Sequence, residues 1–404
     1  MTAGRARTWP LAVLLAALAM LGPLSVDAYL PAFHAIGTEL DVSQIAVQQT
    51  LSIYLFFYAF MMLWHGALAD ALGRRTVVLV SLIMFAITSL GCAIAGNIET
   101  LWLFRALQGV CSGAGMVVGR AIIRDKFHGP DAQRLMSQIT LFFGIAPAVA
   151  PIMGGVLLNT LGWRSIFWVM LLLTILLLVW SWRWLAETLP VEARQSLAPR
   201  RLWRNYASVL RHKEFLMLAI VPALNFAGFF LYIASAPAFL IDLLGISSYG
   251  FAWLFVPMIA GIMIGAAISG RLAGRMSPQR TVRLGYLIMF SGVAMDLLVA
   301  WFVAPAVPWH VLPIMIFTAG SALITPTLML RMLDLFPTMR GLASSLQGFF
   351  HFALAAVVAG TISPFLATSL HGLALGMGAF SLASLALWML YLQYMRSRPA
   401  VRPA

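Results

Sequence analysis

Twelve apolar runs of about twenty residues, each almost free of charge, recur from one end of the chain to the other. Each is long enough to cross roughly 30 Å of hydrocarbon as a helix rising 1.5 Å per residue. In lipid, backbone polar groups must be satisfied inside the segment that carries them. The pattern therefore predicts an all-α membrane protein with twelve transmembrane helices, near residues 9–31, 47–68, 77–96, 100–122, 136–158, 165–185, 214–240, 250–270, 284–304, 310–330, 342–365 and 372–393. With 62% hydrophobic and 10% charged residues, the chain matches neither an ordinary soluble domain nor a disordered one.

The net charge of +13 would suit a nucleic-acid partner, but its placement argues for topology instead. Of the 26 Lys and Arg, Arg164 falls in an outside loop and Arg105 inside a run. The others sit at the two ends and in or beside every second loop, the positive-inside pattern, with both termini cytoplasmic and no nucleic acid implied. The first run is longer than a signal core and has no clear small-x-small cleavage site, so it is kept as the first span. Cys92 and Cys111 lie within spans and are expected to pack as small apolar residues without a disulfide.

The longest polar stretch divides six spans from six. It sets an N-terminal six-helix bundle at 1–182, a cytoplasmic linker at 183–213, a C-terminal bundle at 214–395 and a cytoplasmic tail at 396–404. The halves echo each other: "LPAF" at 30–33 closes span one and "APAF" at 236–239 closes span seven. "FFGIAPAVAP" at 142–151 and "FFHFALAAVV" at 349–358 stand at nearly the same offset in spans five and eleven. Two pseudo-symmetric bundles with a site between them near the midplane form a recurring transporter plan, although composition alone leaves a channel or a membrane enzyme open.

"GALADALGRRT", residues 66–76, joins spans two and three. Gly66 and Gly73 permit close approach and a tight turn, Asp70 can cap or pair, and Arg74 and Arg75 face the anionic side of the membrane. On charge alone this is an ordinary basic turn. Its full spacing resembles the G-x-L-a-D-x-x-G-R-[RK] signature of the major facilitator superfamily, with Ala71 where a basic residue is common. "LWLFRALQGVCSGAG" at 101–115 resembles that family's span-four motif with a buried arginine, here Arg105, followed by Gln108 and Gly109. "GIAPAVAPIMGG" at 144–155 resembles the span-five antiporter motif: Ala150 replaces its first glycine, while Pro151, Gly154 and Gly155 match. With "DAYLPAF" in span one and "GRAIIRD" at 119–125, the chain resembles the drug:proton antiporter branch, and within it the bicyclomycin and chloramphenicol resistance group. The second-half echo, "GAAISGRLAGR" at 265–275, has Ser269 near the expected acid and is assigned to packing and topology.

The resemblance implies the major facilitator fold, a multi-pass place in a bacterial inner membrane, and alternating access driven by a proton gradient with no cofactor. Small amphiphilic drugs, protons and the lipid bilayer would be its partners, and a monomer is expected. It also implies a cytoplasmic gate of Asp70, Arg74 and Asp125 around Gly66 and Gly73, latching the halves when the cavity faces outward. The bland alternative is a solvated surface cluster, which contributes little.

Asp27 is the only acid in span one, and an ionisable group there costs roughly 2.5 to 3.5 kcal/mol even on a lenient insertion scale. If span one ends near Pro31, Asp27 lies roughly 6 Å below the outer surface, at about the depth of Arg105. The two are expected to communicate directly or through water, either as a static ion pair fixing register or as a proton site. Whether such a carboxylate holds a proton depends on how wet its surroundings are. Asp296 in span nine is a secondary proton or substrate site, or else a water-satisfied helix contact. Among aromatic and amide residues expected near the cavity, Tyr54, Tyr58 and Asn225 are singled out for substrate binding. His34 and His65 read as interface residues.

No phosphate-binding G-x-x-x-x-G-K-[ST] loop, H-E-x-x-H metal motif or nucleophile-and-base arrangement is present. The expectation is a proton-coupled drug exporter and not an enzyme. A proton-linked metabolite exporter or importer is the alternative, and an intramembrane enzyme or non-transporting receptor the remote ones.

Overall fold

Helix is the only regular structure among the described residues, as the backbone argument requires. The computed structural model describes residues 3–127, 129–194, 197–337 and 339–397, with side chains described except at 3–9, 129–134, 136–145 and 201. Most of the expected tail, 398–404, therefore lies outside the described residues.

The N-terminal half comprises α1 (Ala3–Asp27), α2 (Phe33–Glu39), α3 (Gln44–Leu72), α4 (Arg74–Ala93), α5 (Ile98–Ser112), α6 (Ala114–Lys126), α7 (Gly129–Leu161) and α8 (Arg164–Trp184). A linker helix, α9 (Pro199–Leu210), follows. The C-terminal half comprises α10 (Lys213–Ala234), α11 (Ala252–Leu272), α12 (Pro278–Phe302), α13 (Leu312–Asp334), α14 (Arg340–Val357), α15 (Ser363–Leu366) and α16 (Leu370–Ser397). Among the described residues, eleven segments are long and apolar enough to cross a membrane, and Ala146–Leu161 is the apolar part of α7 that supplies the twelfth.

Four spans depart from uninterrupted α-helix; span eleven does so through a π-helical turn, Val358–Ile362, between α14 and α15. Pro31 has no N–H to give, so α1 stops at Asp27, a 3₁₀ turn covers Leu30–Ala32 and α2 resumes to Glu39. Span one thus runs Pro10–Glu39, well past the expected end at residue 31. Asp27 lies twelve residues short of that end, about 18 Å along the helix, where four residues were expected. Span four is broken at Gly113 into α5 and α6. Span seven ends at Ala234 and continues through a π-helical turn, Ala238–Leu243. The linker is not merely polar coil: α9 buries Tyr206 and Val209 and exposes Arg200, Trp203 and Arg204, and the Tyr206 hydroxyl donates to the Leu63 carbonyl at 2.6 Å.

Lipid tails are as apolar as leucine, so helices are held together by close packing more than by exclusion of water. In the N-terminal half α1 packs on α6, α7 and α8, α3 on α5, and α4 on α5 and α8. In the other, α10 packs on α13, α14 and α16, α12 on α13 and α16, and α11 on α13. Gly109 admits the Tyr54 carbonyl and Gly154 the Ala28 carbonyl.

The halves meet where α3 packs on α14 and α7 on α11. Their polar contacts gather on the side away from the linker. Gln48 donates to Ser363 Oγ (2.6 Å) and the Ala234 carbonyl (3.2 Å), Gln49 to the Gly360 carbonyl (2.8 Å), and Ser52 to the Ala356 carbonyl (2.8 Å). Asn159 donates to Ser248 Oγ at 2.8 Å, and His34 Nε2 lies 3.1 Å from Asp242. On the linker side, no hydrogen bond or ion pair among the described residues joins the two halves directly.

Because a Cβ at Gly154 would press on backbone that cannot yield, Gly154→Leu should lower unfolding stability by about 1–3 kcal/mol in denaturant titration of the detergent-purified protein. Gly341→Ala, at a position with open space around it, should leave the transition unmoved. Equal behaviour of the two variants would refute the close approach of α1 and α7.

Candidate substrate and coupling site

Arg105 is completely buried in α5, which makes its partners decisive. Its guanidinium lies 4.8 Å from the Tyr29 ring centroid and 4.3 Å from that of Tyr54. Desolvated contacts of this kind are worth about 2 kcal/mol. Arg105 Nη1 donates to Gln108 Oε1 at 2.7 Å and to the Ser25 carbonyl at 3.3 Å, and Gln108 donates onward to Ser89 Oγ at 2.9 Å. The Tyr29 hydroxyl pairs with Thr50 Oγ1 at 3.0 Å, and Ser25 Oγ donates to the Tyr54 hydroxyl at 2.9 Å. One cation thus ties α1, α3, α4 and α5 together.

Asp27 is 6% exposed and does not pair with Arg105. Of the two routes expected, direct contact or water and neighbouring polar groups, the first is absent, and helix geometry supplies the reason. At 100° per residue, Asp27 points about 200° around α1 from Ser25, whose side chain and carbonyl face the arginine network. The shared depth holds, since Arg105 reaches the Ser25 carbonyl. Among the described residues, no group donates a hydrogen bond to the Asp27 carboxylate.

The other intramembrane acid has a partner that sequence reading missed. Asp296, 3% exposed on α12, accepts a 2.5 Å hydrogen bond from the Tyr232 hydroxyl on α10. The 64 residues between them hid the pair. Asn225, fully buried on α10 near Tyr286, leaves its amide nitrogen and oxygen without a hydrogen bond of good geometry among the described residues. Tyr286 pairs with Ser384 at 2.8 Å, and Ser384 donates to the Val221 carbonyl one turn before Asn225.

Tyr54 and Tyr58 stack at 6.1 Å on α3. Tyr58 meets Phe352 of the other half edge-to-face at 4.6 Å, and Phe352 lies 6.2 Å from Phe226, which also packs on Phe229, Phe230 and His351. An aromatic cluster therefore spans both halves. Asp296 and Asn225 lie in the C-terminal half, and Asp27 and Arg105 in the N-terminal half. Pro151 lies on the same helix, α7, where Gly154 seats against Ala28 and Gly155 against the Ser248 carbonyl across the halves.

At the linker-side end, Arg74 Nη1 reaches Asp70 Oδ1 at 2.5 Å and Arg74 Nε reaches Asp125 Oδ2 at 3.2 Å. Gly73 makes the α3–α4 turn at φ 97°, where a side chain would be strained, and Gly66 lies beside Val117. Two linker residues complete the cluster. Thr188 donates to Asp125 at 2.8 Å, and the Glu187 carboxylate accepts from the backbone of Arg74 (2.9 Å) and Arg75 (3.2 Å), capping α4. No residue of the C-terminal half joins this cluster among the described residues.

Two packed helical bundles around buried ionisable side chains define a membrane transporter of the two-bundle type. A family model described as the Major Facilitator Superfamily matches residues 13–360, and the chain belongs to that family. It is 35% identical to an uncharacterised MFS-type transporter, YdgK, of Bacillus subtilis over 279 residues, 69% of each chain. It is 28% identical to the bicyclomycin resistance protein homolog of Haemophilus influenzae over 388 residues, 94% of this chain and 96% of the other. It is 26% identical to multidrug resistance protein D of Escherichia coli over 351 residues, 85% and 86% of the two chains. Among solved structures, a D-xylose–proton symporter superposes with a TM-score of 0.72 at 16% identity, covering 94% of this chain and 97% of that one. A bacterial homologue of the human lysosomal transporter Spinster, inward-facing and occupied, gives 0.72 at 17% identity over 98% of each chain.

Glu187 carries a pH dependence. Burial opposes its ionisation, but backbone donors from Leu189, Arg74, Thr188 and Arg75 outweigh it and hold its pKa below the ordinary 4.5. A group depressed on folding stabilises above its unfolded pKa and loses that contribution as pH falls through the folded value. Glu187→Gln should therefore melt lower at pH 7 by about 0.3–1 kcal/mol at low salt. The difference from the parent should vanish as pH falls well below 4.5, and a difference independent of pH would contradict the capping role.

Proposed function

We propose that this chain exports small amphiphilic drugs, chloramphenicol- or bicyclomycin-like, in exchange for protons by alternating access. The observation that carries the proposal is Asp27, a nearly buried carboxylate within span one with no hydrogen-bond donor among the described residues. A buried charge without a partner is costly, and taking up a proton removes that cost. Opening the site to water on either side changes the balance, and this ties proton traffic to conformation. Arg105 sets the local field from one face of α1, and Asp296 with Tyr232 provides a second acid whose donor is already in place. The relatives named for bicyclomycin and multidrug resistance support the substrate class.

The aromatic cluster of Tyr54, Tyr58 and Phe226, with the amide of Asn225, offers flat apolar faces and a few hydrogen-bonding groups to such drugs. The linker side is the cytoplasmic face of a bacterial inner membrane, with both termini there. The bundles at 1–182 and 214–395 are the moving parts and 183–213 their connection. The contacts between Gln48, Gln49 and Ser52 and the facing half close the outer side, and the state is inward-facing. The Asp70, Arg74 and Asp125 gate would latch the halves in the opposite state, and Pro151, Gly154 and Gly155 let α7 pack and bend beside α11. The proton gradient is the energy source, the chain acts as a monomer, and the substrate leaves chemically unchanged.

Everted membrane vesicles with an acid lumen should take up chloramphenicol and release protons when the drug is added. Asp27→Asn should abolish drug-driven proton release while labelled drug still exchanges with unlabelled drug. Undiminished proton release in the variant would refute the coupling role.

A further inference from the structure

Arg120 belongs to none of the clusters described above. It lies on α6, six residues before its linker-side end, on the face where Gly113 rests against His65 and Tyr58, and Val117 against Gly66. An arginine on a helix leans toward the helix N-terminus, so the guanidinium points back toward mid-membrane. Protein packs densely around it, yet the side chain is exposed, as on the wall of a recess and not on a convex face.

The charged and titratable groups that act on it are Tyr58 and Arg124, and neither is an acid. The nearest acid in sequence, Asp125, is taken by Arg74 and Thr188, and Asp70 is taken by Arg74. Among the described residues Arg120 has no hydrogen bond or ion pair. Nor does it face lipid headgroups. The lipid-side residues of α3 are Phe56 and Phe60, 55% and 46% exposed, whereas Tyr58, toward which Arg120 lies, is 3% exposed and touches Phe352 of the other half. A cation held inside a bundle without a counter-charge calls for one from elsewhere.

We propose that Arg120, reinforced by Arg124 one turn away, receives the acidic group of an aromatic organic anion entering from the linker side, whose ring system then stacks on the Tyr58–Phe352–Phe226 cluster. This rests on the transport reading above and adds to the neutral amphiphiles named there a second substrate class, aromatic carboxylates, sulfonates or phosphates. Arg120 positions the anion and Arg124 adds attraction without direct contact.

The test uses 8-anilinonaphthalene-1-sulfonate and N-phenyl-1-naphthylamine, which share an aromatic skeleton and differ by the sulfonate. Binding is titrated by fluorescence to the full chain in nanodiscs, with empty nanodiscs subtracted and no pH gradient. The sulfonate should bind more tightly than the neutral probe, and less so at high salt. Arg120→Gln should weaken the sulfonate about tenfold, leave the neutral probe within about twofold, and Arg120→Lys should recover most of the loss. Equal weakening of both probes, or no weakening of the sulfonate, would overturn the proposal. Because no gradient is used, failure here leaves the proton-coupling test untouched, and failure of coupling leaves this result standing.

Discussion

A peptide group in hydrocarbon has no water to bond with, and each unsatisfied one costs several kcal/mol. The whole architecture follows from that. Every crossing segment is helical, and where proline forbids it, as at Pro31, the chain turns through a tight 3₁₀ step and resumes. Since lipid gives helices no reason to associate, glycines facing carbonyls supply the close packing. Polar side chains do the rest: Gln48, Gln49 and Ser52 of α3 bond to backbone and hydroxyl oxygens across the halves, where an unmet amide would be expensive.

The same constraint explains how Arg105 is tolerated. Its charge is fully buried, and the structure meets it with two tyrosine faces, a carbonyl and an amide oxygen in place of a carboxylate. Such an arrangement neutralises nothing: it solvates Nη1 and leaves Nε and Nη2 to the tyrosine faces, without a hydrogen bond among the described residues. Asp27, on the opposite face of α1, is thereby left without a salt-bridge partner among the described residues.

The all-helical membrane fold and the basic turn at 66–76 were legible because they depend on local hydropathy and short spacings. The end of span one was placed too early because helix resumes after Pro31, a tertiary decision that no local rule signals. The pairing of Asp296 with Tyr232 and the capping of α4 by Glu187 join residues far apart in sequence, and no motif connects them. Arg120 was visible within "GRAIIRD", but on sequence it counted among the basic residues at the edge of a cytoplasmic loop. Its significance lies in the acids it lacks, and that required knowing where Asp70 and Asp125 spend their charge.

The sequence echo between the two halves does not extend to their chemistry. Setting Pro31 on Pro237 sets Asp27 on Ile233 and Tyr29 on Ser235, so the acid of the first half faces an aliphatic side chain in the second, and the tyrosine that flanks Arg105 faces a serine bonded to Ser363. The second half places its own acid elsewhere, on α12, and satisfies it with Tyr232. Charge is arranged differently in the two halves: the first carries Asp27 and Arg120 without a hydrogen-bond or ion-pair partner among the described residues, whereas the buried acid of the second, Asp296, accepts a hydrogen bond from Tyr232.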